Sequence, residues 1–138
     1  MKDGITYGSL DHAGSDRFQR LRAELGVETF GLNLIRLAPR QRGRIHAHER
    51  QEEVYVVLSG TLTLGFEDGE RELQANECAR VAPGIRRQLI NRGRDRCVLL
   101  AMGSAEQHQG RDGIAYDAWD APDGRSPAEV PMPPDLPV

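Results

Sequence analysis

Polar and apolar positions alternate in short bursts along most of this chain, and the bursts are separated by Gly, Asn, Asp and Pro. Over 28–37 the period is two: Phe30, Leu32 and Leu34 share one face, with Gly31 and Asn33 opposite. Further runs at 45–48, 54–58, 61–66, 70–74, 78–82, 87–91 and 97–102 follow closely. Ser59-Gly60, Asp68-Gly69, Asn76 and Pro83-Gly84 punctuate them, and Asp68-Gly69 predicts a hairpin. Strands this short and this evenly spaced predict an all-β sandwich or barrel.

The two flanks read differently. Phe18, Leu21 and Leu25 fall at i, i+3 and i+7, the apolar stripe of a short helix covering a sheet. Ser15 suits its N-cap and Gly26 its stop. After Gly103 the chain turns rich in Asp, Gly and Pro, and Pro131, Pro133, Pro134 and Pro137 stiffen its end. Tyr116 and Trp119 are expected to pin this tail to the β-domain or to a second subunit. The expected organisation is an arm and short helix over 1–27, the β-domain over 28–103 and the tail over 104–138. Arm, early strand and tail look like elements that cross to a partner, so a homodimer is expected.

At 138 residues the chain is one domain with room for a core. Apolar residues make up 38%, and 15 glycines close much of the gap to ordinary composition. A net charge of −3, with no aromatics among the basic runs, argues against nucleic-acid binding. The basic charge is 17 Arg against one Lys. That is the mark of a compositional bias. It also crowds Arg36, Arg40, Arg42, Arg44 and Arg50, then Arg86, Arg87, Arg92, Arg94 and Arg96, into sets able to form an anion-attracting rim. No apolar run approaches the ~18 residues of a membrane span. With no cationic, apolar leader at its start, the chain reads as soluble and cytoplasmic. Cys78 and Cys97 form no CxxC motif and read as small buried hydrophobes in a reducing compartment.

Candidate chemistry concentrates at His46-Ala47-His48. In a strand, residues two apart lie on one face, ~6.6 Å from each other. Their imidazoles can converge on one ion, and a carboxylate from the next strand completes a facial set with open coordination positions. Such a set suits Fe(II), with Mn, Ni, Co and Zn as the other candidates. Glu52 and Glu53 point to opposite faces, and alternation alone leaves open which one enters, with Val54 and Val56 or with Tyr55 and Val57. His12 and His108 lie outside this frame. Asp117, Asp120 and Asp123 lack the Gly and Glu of a calcium loop. No Gly-rich phosphate loop or nucleophile elbow occurs.

The spacing His46-x-His48-x4-Glu53-x6-Gly60 resembles the first motif of the cupins. The stretch Asn76 to Asn91 is similar to their second, in the frame Gly84-x2-Arg87-x3-Asn91. The resemblance implies the family's jelly-roll β-barrel with a ligand site inside, and it favours Glu53 as the inward carboxylate, with Glu52 facing solvent. Many cupins hold a divalent metal through three His and one Glu, and the family spans dioxygenases, isomerases, epimerases, decarboxylases, storage proteins and sugar-sensing domains. Three departures stand out: Arg40 where a glycine is expected, Asn76 for the glycine opening the second motif, and Arg87 for the third histidine ligand. Asparagine tolerates a left-handed backbone. Arginine stays protonated and cannot ligate a metal.

Two readings of Arg87 follow. Either its guanidinium pairs with Glu53 across the barrel, giving a metal-free binding or sensing module, or His46, His48 and Glu53 hold a metal while Arg87 grips an anionic group of the substrate. Tyr55 and Asn91, on the inward faces, join Arg87 as candidate substrate-binding residues, and Gln88 is expected to point outward. Both readings imply a small polar or anionic ligand in the barrel.

Overall fold

The computed structural model describes residues 3–104 and 112–138; His108 lies outside them. Among the described residues there are two five-stranded layers and one short helix. The elements are β1 (Phe18–Gln19), α1 (Leu21–Leu25), β2 (Phe30–Leu37), β3 (Ile45–His48), β4 (Glu53–Ser59), β5 (Thr61–Phe66), β6 (Gly69–Gln74), β7 (Cys78–Val81), β8 (Gln88–Ile90), β9 (Cys97–Ser104) and β10 (Gly113–Tyr116), with a 3₁₀ turn at Pro127–Glu129. One sheet runs β1-β2-β9-β4-β7. Opposite it lie the pair β10-β3 and the sheet β6-β5-β8, joined by the antiparallel bridge His46↔Arg87. All pairings are antiparallel, and the two layers form a jelly roll.

The interior follows from side-chain alternation. Ile35 and Leu37 of β2, Tyr55 and Val57 of β4, and Leu99 and Ala101 of β9 meet Leu62 and Leu64 of β5 and Leu89 of β8 in one buried cluster. β2 and β9 are apolar on both faces because their outer faces are also covered. There Leu21 of α1 packs on Leu34 and Val98, with Leu32 beside them. The stripe of Leu32 and Leu34 thus faces the helix rather than the jelly-roll interior.

The helix is shorter than its sequence stripe. It starts after Arg20 and has no side-chain cap, so Ser15 is not its N-cap. Phe18 belongs instead to β1, pairing with Ile35 at the edge of the sheet, where ladder hydrogen bonds outcompete one more helical turn. Gly26 does end the helix in the left-handed conformation (φ 74°), its N–H donating to the Arg22 carbonyl. Gly60 (φ 75°) joins β4 to β5 where a Cβ would fall on the Arg96 carbonyl oxygen, so only glycine fits. Arg40 and Asn76, both standing where the family motif has glycine, keep the left-handed conformation at φ 73° and 75°.

The tail contributes β10, which extends the second layer by pairing with β3. Tyr116 and Trp119 are both engaged through Arg86, which lies 3.6 Å over the Tyr116 ring and donates to the carbonyls of Trp119 (2.9 Å) and Ala121 (2.7 Å). Val130 is buried. Gln88 is covered by this tail rather than exposed, and its amide donates to the Gly43 carbonyl. Cys97 is buried, and burial pushes its thiol up to about 12. Cys78, on the edge strand β7, is exposed, contrary to the expectation for both cysteines. No helix among the described residues is long and apolar enough to cross a membrane.

Candidate functional site

Strand β3 delivers His46 and His48 to the inside, and β4 delivers Glu53 and Tyr55 beside them. One carboxylate oxygen, Glu53 Oε1, is the meeting point. His48 Nε2 lies 3.5 Å from it, His46 Nε2 3.9 Å, and Arg87 Nη2 donates to it at 2.8 Å. The Tyr55 hydroxyl donates to the same oxygen. Glu52 points the other way, pairing with Arg80 on the exposed face.

Arg87 is wholly buried and fully committed to protein acceptors. Its Nε donates to the Tyr55 oxygen (3.1 Å), Nη1 to the Ile85 carbonyl (2.8 Å) and Nη2 to Glu53. Burial opposes its charge, but Tyr55 and Glu53 outweigh that and keep the guanidinium protonated. Burial, reinforced by the Glu53 charge, pushes the Tyr55 pKa well up, so the phenol stays neutral. Asn91, expected near the ligand, is a turn anchor: its amide nitrogen donates to the carbonyls of Leu37 and Asp95, and its oxygen accepts from the Gly93 N–H. It is fully buried and is not part of the cavity lining.

Imidazole partners set the tautomers. His46 Nδ1 lies 3.1 Å from the Arg44 carbonyl, which can only accept, so Nδ1 carries a hydrogen. His48 Nδ1 is buried with no hydrogen-bond partner among the described residues. The nearest acidic atom to it is Asp112 Oδ2, at 3.9 Å. Asp112 is itself fixed by the backbone N–H groups of Arg50 (2.9 Å) and Gln51 (2.8 Å). Nothing in the sequence marks Asp112, because β10 brings it to His48 from the tail.

His46 Nδ1 is turned to the Arg44 carbonyl, and the Nε2 atoms of both histidines face a carboxylate. Lone pairs so placed repel unless a cation or a proton lies between them. One donor atom from each of His46, His48 and Glu53 lies within 4.8 Å of the others. This donor set fits a divalent cation held by three protein ligands. Burial works to raise the Glu53 pKa, and donation from His46 and His48 with the charges of His48 and Arg87 overrides it. The carboxyl is held well below the usual carboxylate range.

The site opens into a cavity of about 210 Å³. Its walls mix apolar groups such as Ile35, Leu37 and Leu89 with His46, His48 and Glu53, and the tail closes it with Pro127 and Met132. Arg17 and Arg44 also line it. Several of the arginines expected to form an anion-attracting rim are instead donors to carbonyls of the arm and tail. Arg36 holds the carbonyls of Asp11 and Phe18, Arg96 those of His12 and Gly14, and Arg42 that of Pro134. Arg92 is paired with Glu70 on the surface.

The model of the Cupin domain (Cupin_2) matches residues 33–103, just over half of the chain. The chain belongs to the cupin family. Solved structures agree. A sugar phosphate isomerase from a cupin superfamily of Silicibacter pomeroyi is 31% identical with a TM-score of 0.60, the match covering 63% of this cupin and 57% of that chain. This cupin therefore spans less than two thirds of that relative. A cupin protein from Bacteroides fragilis is 22% identical (TM-score 0.65), over 78% of this chain and 89% of its own. A Cupin 2 conserved barrel protein from Salinispora arenicola is also 22% identical (TM-score 0.63), over 73% and 89%. No curated protein matches this cupin.

Proposed function

We propose that this cupin binds a divalent cation through His46, His48 and Glu53, and a small polar or anionic organic molecule in the adjoining cavity. The observation that carries the reading is the convergence of two imidazole Nε2 atoms on Glu53 at one wall of a half-open, largely apolar hollow. Arg87 then acts behind the site rather than on the ligand. Together with Tyr55 it fixes Glu53 in place, as hydrogen bonds to a ligating carboxylate do in other metal sites. When bound, the ion would supply Lewis acidity, polarising an oxygen of the organic ligand. The relative named a sugar phosphate isomerase supports a hydroxylated, anionic ligand class.

A metal-free binding module is the second reading, favoured by the buried Arg87–Glu53 pair, which already balances the carboxylate. Calorimetric titration of the chelator-treated protein with Mn²⁺ and Zn²⁺ separates the two. One equivalent binding at micromolar concentration, abolished by His48→Ala and by His46→Ala, is the expected result. No saturable binding by the folded protein would leave the metal-free module.

A further inference from the structure

Two arginines stand at this cavity without a carboxylate in ion-pair contact among the described residues. Arg17 precedes β1 and Arg44 precedes β3, and both are half-buried in the cavity lining. Each spends one nitrogen on a backbone carbonyl: Arg17 Nη1 on Arg42 (2.9 Å) and Arg44 Nε on Val130 (2.6 Å). The other nitrogens, Nε and Nη2 of Arg17 and both Nη atoms of Arg44, have no protein acceptor among the described residues. Neither arginine forms an ion pair there. Burial pulls the Arg17 pKa down; the Asp135 carboxylate offsets part of this, and the like charge of Arg44 adds to it. Holding two guanidinium groups at one partly desolvated wall is costly unless an anion joins them.

We infer that Arg17 and Arg44 form a clamp for a phosphate monoester, whose organic part lies in the cavity toward His46, His48 and Glu53. The inference deepens the proposed function and rests on its cavity ligand, not on its metal. Two fixed positive charges match a dianion better than a carboxylate, and a planar guanidinium presents paired N–H donors to phosphate oxygens. The rest of the wall fits. Ile35, Leu37 and Leu89 give apolar cover, and Glu53, the one acidic group of the lining among the described residues, is hydrogen-bonded by Arg87. The hollow admits a small molecule only, on the order of several waters in volume.

Inorganic phosphate is the probe, titrated by calorimetry at pH 7.5 into the full chain stripped of metal with chelator. Saturable binding is expected. Arg17→Gln and Arg44→Gln should each weaken it tenfold or more, and acetate at equal ionic strength should bind at least tenfold more weakly than phosphate. Should a glutamine variant fail to fold, the lysine variants serve: each keeps the charge, loses the planar fork, and should bind phosphate at least threefold more weakly. Unchanged phosphate affinity in a folded Arg17 or Arg44 variant, acetate binding as tight as phosphate, or no saturable phosphate binding by wild type overturns the clamp. Parallel Mn²⁺ and phosphate titrations of the same stripped wild-type protein keep the two failures apart: phosphate binding without metal binding counts against the metal alone, and metal binding without phosphate binding counts against the clamp alone.

Discussion

Arg87 shows how one residue changes the character of a site. An imidazole at this position would offer a lone pair to an ion; a guanidinium offers only N–H donors and a fixed charge. The chain accommodates it by giving every nitrogen of Arg87 a protein acceptor, with Glu53 among them. Removing that partner leaves a carboxylate without its charge complement in a poorly hydrated cavity. Arg87→Met should therefore cost about 3 kcal/mol at neutral pH, read from urea denaturation in the presence of chelator. The pH dependence has a definite sign. Glu53 sits well below its ordinary value of 4.5, so its stabilising effect is complete above that pH and drains away as the pH falls through the lowered native value. In the variant the lone carboxyl can protonate on acidification. The gap between the two proteins should be widest near pH 7 and narrow below pH 4.5. Arg40 and Asn76 make a related point, since both hold a left-handed backbone that glycine adopts without strain.

At the level of elements, the site is a product of β3 and its neighbours on both sides. β4 supplies the carboxylate, β8 reaches β3 through the His46↔Arg87 bridge, and β10 pairs along the other edge and carries Asp112 to His48. Period-two alternation made β3 and β4 readable, including the sharing of one face by Glu53, Tyr55 and Val57. It could not reveal β1 or β10. β1 has only two residues, β10 sits inside an Asp- and Gly-rich stretch with no alternating neighbours, and each is held by hydrogen bonds to a distant strand. The same limit misplaced Phe18 on a helix. Asp112 is the functional cost of missing β10. Its carboxylate faces the orphaned His48 Nδ1, and carboxylates behind ligating histidines raise ligand basicity. Asp112→Asn retains an acceptor for the Arg50 and Gln51 N–H groups and loses the charge. It should weaken Mn²⁺ or Zn²⁺ binding about tenfold in calorimetry and leave the thermal midpoint nearly unchanged. An unaltered metal affinity would show that Asp112 only braces the loop after β3.

Across the whole molecule, arm and tail are tied to their own barrel by arginines. Arg36 and Arg96 hold the arm, while Arg42, Arg44 and Arg86 hold the tail through backbone carbonyls. A chain ending at residue 126 would lose buried Val130 and the Met132 wall of the cavity. It should unfold roughly 10 °C lower by circular dichroism, for a loss of about 3 kcal/mol, with its β-rich spectrum intact. A midpoint within a degree or two of the full chain would mean the strap contributes nothing. The sequence by itself determined what depends on neighbours along the chain: the alternating strands, the turns, the spacing that puts two imidazoles on one face, and the arginine that displaces a ligand. Only the tertiary structure decided the uses of the arginines, the placing of Arg17 and Arg44 at one cavity, and the approach of Asp112 to His48. These depend on where irregular segments come to rest, and such segments are held by side-chain donors to backbone carbonyls, contacts that leave no period in the sequence.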